Sequence, residues 1–234
     1  YKKMKKILFL LLLIYNTSHS QNLFQGKVYY KASLIKQKKS NKKMTNEVKD
    51  IIENSTDADF VLYFNKTASE YKEIKKMNLE VEASVNLTQV LGGGSDIYFT
   101  TTESSVKPFF KKKQGGDVFL INYEKTKWDL TQESKMIGKY KCFKAIDINI
   151  DNKISYKHTE VWYTPSIPVS FGPKNFHGLP GLVLQVNTSS FSLNAYQINL
   201  NSKEVVKIIK PLEGIKISKE EYYKKTSAFF KKKN

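Results

Sequence analysis

Turn residues recur about every ten positions along this chain, and the stretches between them alternate apolar and polar side chains. Period-two alternation suits a pleated, half-buried strand and no other regular element. In residues 26–36, Val28, Tyr30, Ala32 and Leu34 fall on one face. Residues 58–65 and 68–74 read as a hairpin around Asn65-Lys66. Residues 97–102, 117–123, 140–150, 156–163, 181–186, 191–200 and 205–209 read as further strands, and another starts at Trp128. Residues 111–116 read as a loop. Residues 78–91 alternate with little charge and lead to Gly92-Gly93-Gly94, a flexible turn. Many short strands with regular turns predict an antiparallel sheet curled into a barrel or sandwich. With 14 Tyr and 14 Phe, the chain has the apolar mass for a core.

Two segments break the pattern. Residues 36–54 are polar and lysine-rich, with room for a short helix at 46–52 or a mobile loop. Near the C-terminus the period changes. Ser218 followed by Glu221 forms a capping box, and residues 219–230 read as one amphipathic helix.

Residues 1–20 have the layout of a secretory signal peptide. Lys2, Lys3, Lys5 and Lys6 precede an apolar run at 7–15, and Ser18-His19-Ser20 offers a cleavage site. A spanning helix needs about 20 apolar residues, so this run is too short, and no later segment approaches that length. The expectation is a cleaved leader at 1–20, a single domain at 21–234, a periplasmic or secreted location, and no transmembrane segment after cleavage. Removing the leader takes four lysines and lowers the net charge from +17 to +13. Every cationic side chain is lysine. Nucleic-acid readers favour arginine for its bidentate fork, and no nucleic-acid motif is present, so no nucleic-acid partner is expected.

Catalytic patterns are missing. There is no G-x-S-x-G elbow, and Gly92-Gly93-Gly94 lacks the residues of a phosphate loop. The single cysteine, Cys142, would need a base beside it, and His158 and His177 are the only histidines after the leader. Two histidines without ligand spacing suggest no metal site. A strand cysteine at this position reads as buried packing. The expectation is a protein without enzymatic activity, cofactor or metal.

The stretch from Trp162 to Val186, WYTPSIPVSFGPKNFHGLPGLVLQV, stands apart. Prolines and glycines punctuate an apolar run that carries Trp162, Tyr163, Phe171, Phe176 and Leu179. It reads either as a rigid crossover plugging one end of a barrel or as the aromatic mouth of an apolar site. Gly178-Leu179-Pro180-Gly181-Leu182-Val183 resembles the motif of the GLPGLI family, also called Porph_ging, of exported Bacteroidota proteins. Trp128, the run Lys135 to Ala145 around Cys142, Trp162-Tyr163-Thr164, Ile167-Pro168 and Gly172-Pro173 are similar to the same family's pattern. Val183 departs from it, since the name has isoleucine there. The resemblance implies an envelope protein of unknown biochemical function and places Cys142, Gly172, Pro173, Gly178, Leu179, Pro180, Gly181 and Leu182 in a family motif. It supplies no catalytic residue.

The expected fold is therefore mainly β: a curved antiparallel sheet or open half-barrel with a C-terminal helix, by analogy with the periplasmic lipoprotein carriers. The expected function is a non-enzymatic binding or carrier protein for an apolar ligand, lipid or peptide, with Trp162, Tyr163, Phe171, Phe176 and Leu179 at its site. The alternative is a protein-interaction accessory of an outer-membrane or surface assembly.

Overall fold

A computed structural model describes residues 24–35, 45–75, 85–148, 159–201 and 206–231, with side chains described to residue 227. The expected leader, most of the lysine-rich segment before residue 45, and His158 lie outside the described residues. Twelve strands form one sheet. They are β1 (Gly26–Leu34), β2 (Ala58–Phe64), β3 (Ala68–Glu73), β4 (Ile97–Thr101), β5 (Phe109–Gln114), β6 (Asp117–Asn122), β7 (Trp128–Ile137), β8 (Tyr140–Asp147), β9 (Glu160–Thr164), β10 (Leu182–Asn187), β11 (Phe191–Leu200) and β12 (Ile215–Ser218). Three helices are described: α1 (Asn46–Asn54), α2 (Leu87–Gly92) and α3 (Lys219–Lys231).

The spatial order is β12-β6-β5-β4-β3-β2-β1-β11-β10-β9-β8-β7. All neighbouring strands are antiparallel except β12, which runs parallel to β6. The sheet stays open, ending in β12 on one side and β7 on the other. The mainly β fold, an open sheet with a C-terminal helix, is thus the architecture expected.

The core follows from the alternation. On β1, Val28, Tyr30 and Ala32 have no exposed surface, and Phe60, Leu62 and Phe64 of β2 join them. The helix α2 and the crossover at residues 165–181, between β9 and β10, cover this face. The crossover inserts Ile167, Phe171, Phe176 and Leu179, each at most 2% exposed. Its backbone is bonded to the sheet, since Leu182 N donates to Ile167 O at 3.1 Å and Val183 N to Phe171 O at 3.0 Å. The Tyr30 hydroxyl donates to Val183 O at 2.5 Å. The motif glycines are required by close approach. A Cβ on Gly172 would lie 2.0 Å from Phe176 O, and one on Gly181 would lie 2.3 Å from Thr164 O.

Several expectations are corrected. Of residues 111–116 only Gly115 and Gly116 form a turn: β5 runs to Gln114, because Lys111, Lys112 and Lys113 pair with Leu120, Phe119 and Val118. Lysine has low strand propensity, but cross-strand pairing and alternation decide. The segment leading to Gly92 is helical from Leu87, capped by the Asn86 side chain, which accepts from Thr88 N and Gln89 N. Gly92 and Gly93 are packed against Phe60 and Tyr71 rather than free. Residues 206–209 form no strand; Val206 is held instead by the Gln25 side chain at 2.9 Å. The segment at 46–54 is helical, resolving the choice between helix and loop.

A cleft between the sheet and the C-terminal helix

At the β12 end of the sheet, one face lacks the crossover and is faced by α3. The capping box sets the start of that helix: Glu221 N donates to Ser218 Oγ at 3.2 Å, and Ser218 N donates to Glu221 Oε2 at 3.0 Å. Tyr222 then packs on Phe119 and Ile121 of β6. Its hydroxyl also donates to the Gln114 side chain. Between this helix and strands β4 and β5 lies a cleft of about 700 Å³, within the range of ligand sites.

The floor comes from the sheet register. Tyr98 of β4 stands opposite Phe110 of β5, their rings stacked with centroids 5.1 Å apart. Two residues along β5, Lys112 projects from the same face, as strand alternation requires. Its Nζ lies 3.0 and 3.1 Å from the two carboxylate oxygens of Asp96. The opposite wall is the face of α3 that carries Tyr222, Tyr223 and Lys224. The site is therefore an aromatic floor with one ion pair, walled by a helix.

A second ammonium lies behind it. Lys174, in the crossover, is 8% exposed and adopts φ +54°. Its Nζ donates to Leu91 O at 2.7 Å and lies 4.9 Å from the Phe191 ring centre. Burial pushes its pKa down to about 8; Asp96 opposes that shift, while Lys219 and Lys112 add to it. Burial raises the Asp96 carboxyl above its ordinary range, and Lys112 and Lys174 pull it back. Next to the crossover, His177 is 2% exposed. Its Nε2 is 3.4 Å from the Tyr123 hydroxyl, and burial first, then Lys125, lowers its pKa to about 4. The Trp128 indole N–H holds the His177 carbonyl at 2.8 Å.

The five aromatic and apolar residues read from the sequence as a ligand mouth come together, but in the interior. Trp162, Tyr163, Phe171, Phe176 and Leu179 all belong to the main core cluster, and none lines the cleft. Cys142 is fully buried in the same cluster, with burial raising its thiol to about 11. Its Sγ contacts Tyr140 O at 3.6 Å, whereas the His177 ring faces Tyr123. Gly172, Gly178 and Gly181 shape the crossover; Pro173 is buried, Pro180 is exposed in the turn, and Leu182 opens β10 with no exposed surface. Asp96, Tyr98, Phe110 and Lys112 escaped the sequence reading, because they lie on separate segments with no local motif, and Lys174, inside the glycine-proline stretch, carries no local sign that its ammonium is buried. The capping box was the one sequence signal that pointed to a wall of this cleft.

Fold and cleft together define a mainly β protein with an open sheet and a helix-walled groove at one end. Residues 151–185 match the model of a family described as "Protein of unknown function (Porph_ging)", the family that Gly178 to Val183 resemble in sequence. No curated protein sequence matches the chain. Two solved chains described as PNGF-II, in C2 and P21 space groups, each superpose with a TM-score of 0.51 over 86% of this chain, at 14% and 15% identity. That likeness is one of fold. This chain spans 32% of their length. A LolA superfamily protein, NE2245 from Nitrosomonas europaea, aligns over 77% of this chain and 87% of its own, with a TM-score of 0.26 and 8% identity. Among the described residues no helix is long and apolar enough to cross a membrane.

Proposed function

We propose that this protein is a non-enzymatic binding or carrier protein of the cell envelope, and that it holds an apolar ligand in the cleft between β4, β5 and α3. One observation carries the reading. The stacked Tyr98 and Phe110 rings form a half-buried aromatic floor under about 700 Å³ of open volume. Half-buried aromatic rings facing a concave space gain from covering by apolar matter, at about 25 cal/mol per Å² removed from water. The ligand site thus moves from the crossover, whose aromatic residues are consumed by the core, to the end of the sheet that the crossover leaves open. The leader-like N-terminus supports export.

Native mass spectrometry of protein from a mild envelope extract, followed by organic extraction, tests this. The expected result is one lipid or peptide per chain, lost in a Phe110→Lys variant that remains folded. Recovery of the same ligand at full occupancy in Phe110→Lys would place it elsewhere and refute the site.

The open edge favours a second reading, an accessory of an outer-membrane or surface assembly. Among the described residues β7 pairs only with β8, and it leaves Leu130 and Met136 50% and 60% exposed. An unpaired strand edge with apolar side chains is a template for strand addition from a partner. Crosslinking from a photoreactive residue at position 136 in intact envelopes would reveal that partner; no crosslinked band would count against it.

A further inference from the structure

The cleft's charges do not balance. Its one lining carboxylate among the described residues, Asp96, is 8% exposed and has both oxygens on the Lys112 ammonium, at 3.0 and 3.1 Å. Lys174 stands behind the same carboxylate, its charge felt by Asp96. Two ammoniums therefore share one carboxylate, the Lys174 one buried and the Lys112 one reaching the cleft. Lys224 lines the α3 wall with Glu221 one turn before it, and Lys219 adds positive charge from the start of the helix beside Glu220; counting all of these, the cations still outnumber the carboxylates by one. A cation left partly uncompensated away from water is costly, and an arriving anion relieves that cost. The Lys112 side chain keeps 34% of its surface open, so its ammonium can take a further acceptor from the cleft. Beside these cations the floor is apolar, from Tyr98 and Phe110.

Resting on the carrier reading above, we infer that the cleft takes a single-chain amphiphile whose anionic head meets Lys112 and Lys224 and whose apolar chain covers Tyr98 and Phe110. The head is a carboxylate or a phosphate, both of which accept charge-assisted hydrogen bonds from ammonium groups. The Lys112 and Lys224 ammoniums beside the floor repel a quaternary ammonium head of the same chain length. Asp96 does not bar an anion, because its charge is directed onto Lys112.

Calorimetric titration of the folded protein with five probes tests this: decanoate, decyl phosphate, decanol, decyltrimethylammonium and inorganic phosphate. Decanoate or decyl phosphate should bind about tenfold tighter than decanol, the worth of one charge-assisted contact, and decyltrimethylammonium more weakly than decanol. The tighter of the two anions identifies the head. Lys112→Gln and Lys224→Gln should each reduce the preference of the two anions over decanol. Lys224 is an exposed helix residue, so its replacement tests the idea even if Lys112→Gln unfolds. Equal affinity for decanoate, decyl phosphate and decanol would overturn the anionic head and leave the carrier reading standing. No binding of any ten-carbon probe would overturn the amphiphile and, with it, the lipid form of the carrier reading. Inorganic phosphate binding as tightly as decyl phosphate would overturn the amphiphile in favour of a free anion.

Discussion

The ammonium of Lys174 donates to the carbonyl oxygen of Leu91 at 2.7 Å, across 83 positions of sequence, and ties the crossover to the end of α2. The bond sits in the interior, where a charge is expensive. Its pKa of about 8 in the fold compares with 10.5 in the unfolded chain. Between these values the unfolded chain holds a proton that the folded protein has released, so stability rises with pH across that window. Below pH 8 the burial cost is present in full. Buried Cys142, whose thiol is raised from 9.0 to about 11, acts with the opposite sign from about pH 9, and buried Tyr30 and Tyr123, whose phenols are raised, do so above about pH 10, because in each case the unfolded group ionises first. Urea unfolding should therefore show stability rising from about pH 8 to 9 and levelling above that, well within the limit of about 3 kcal/mol for the full Lys174 shift. Lys174→Met should flatten that slope; an unchanged slope would refute the assignment.

His177 produces a slope on the acid side. Its folded pKa is about 4 against 6.5 unfolded, so the imidazole is neutral in the fold. As pH falls from 6.5 to 4 the unfolded chain gains the proton first, and stability drops by roughly 3 kcal/mol. Asp96, with a raised carboxyl, contributes the opposite sign in the acid range. The difference between the wild type and His177→Gln isolates the histidine: it should shrink steadily from pH 6.5 to 4 in chemical denaturation.

The glycines of the crossover should rank by what a methyl group would meet. Gly172→Ala and Gly181→Ala drive a Cβ into backbone oxygens at 2.0 and 2.3 Å, whereas at Gly115 nothing lies within 4 Å. Backbone cannot rotate away as a side chain can, so each should cost about 3 kcal/mol or more. Gly115→Ala carries only the strain of φ +61°, about 1 kcal/mol. Thermal melts of the three variants check the order.

Cys142 should be silent until the protein unfolds. It has no exposed surface, and burial raises its thiol to about 11, so thiolate is scarce at pH 7.5. Labelling by iodoacetamide, followed by mass spectrometry, should proceed at the global unfolding rate and speed up with urea. Rapid stoichiometric labelling of native protein would contradict the packing described.

Ser218→Ala removes the side-chain acceptor that caps α3, at a cost of about 1 kcal/mol. Because α3 is one wall of the cleft, the same change should weaken ligand binding by a few-fold while leaving the sheet intact. Hydrogen exchange should show faster amide exchange confined to residues 219–227, with β1 and β2 unaffected.

Much of this architecture is written locally. Val28, Tyr30 and Ala32 alternate with polar neighbours, and the hairpin at Asn65 carries its own turn chemistry, with Asn65 Oδ1 accepting from Thr67 N and Ala68 N at 2.9 Å each. The capping box at Ser218 and Glu221 is likewise complete within four residues. By contrast, α2 has six residues, too few for a helical period to emerge, and β12 has four. The parallel pairing of β12 with β6 joins residues almost a hundred positions apart, which no local pattern encodes.

The sequence by itself determined the strand-rich class, the C-terminal helix and its cap, and the glycine-proline crossover, because each depends on side-chain period or on backbone conformations set by neighbouring residues. Only the tertiary structure decided that Trp162, Phe171 and Phe176 fill the core and that the usable cleft lies elsewhere. An aromatic residue is equally apolar in a core and in a binding site; which it becomes depends on what the rest of the chain packs against it. The trio of Asp96, Lys112 and Lys174 has the same origin. Strand pairing brings the first two into contact across β4 and β5, and the crossover delivers the third from behind, so their shared charge exists only once the sheet has formed.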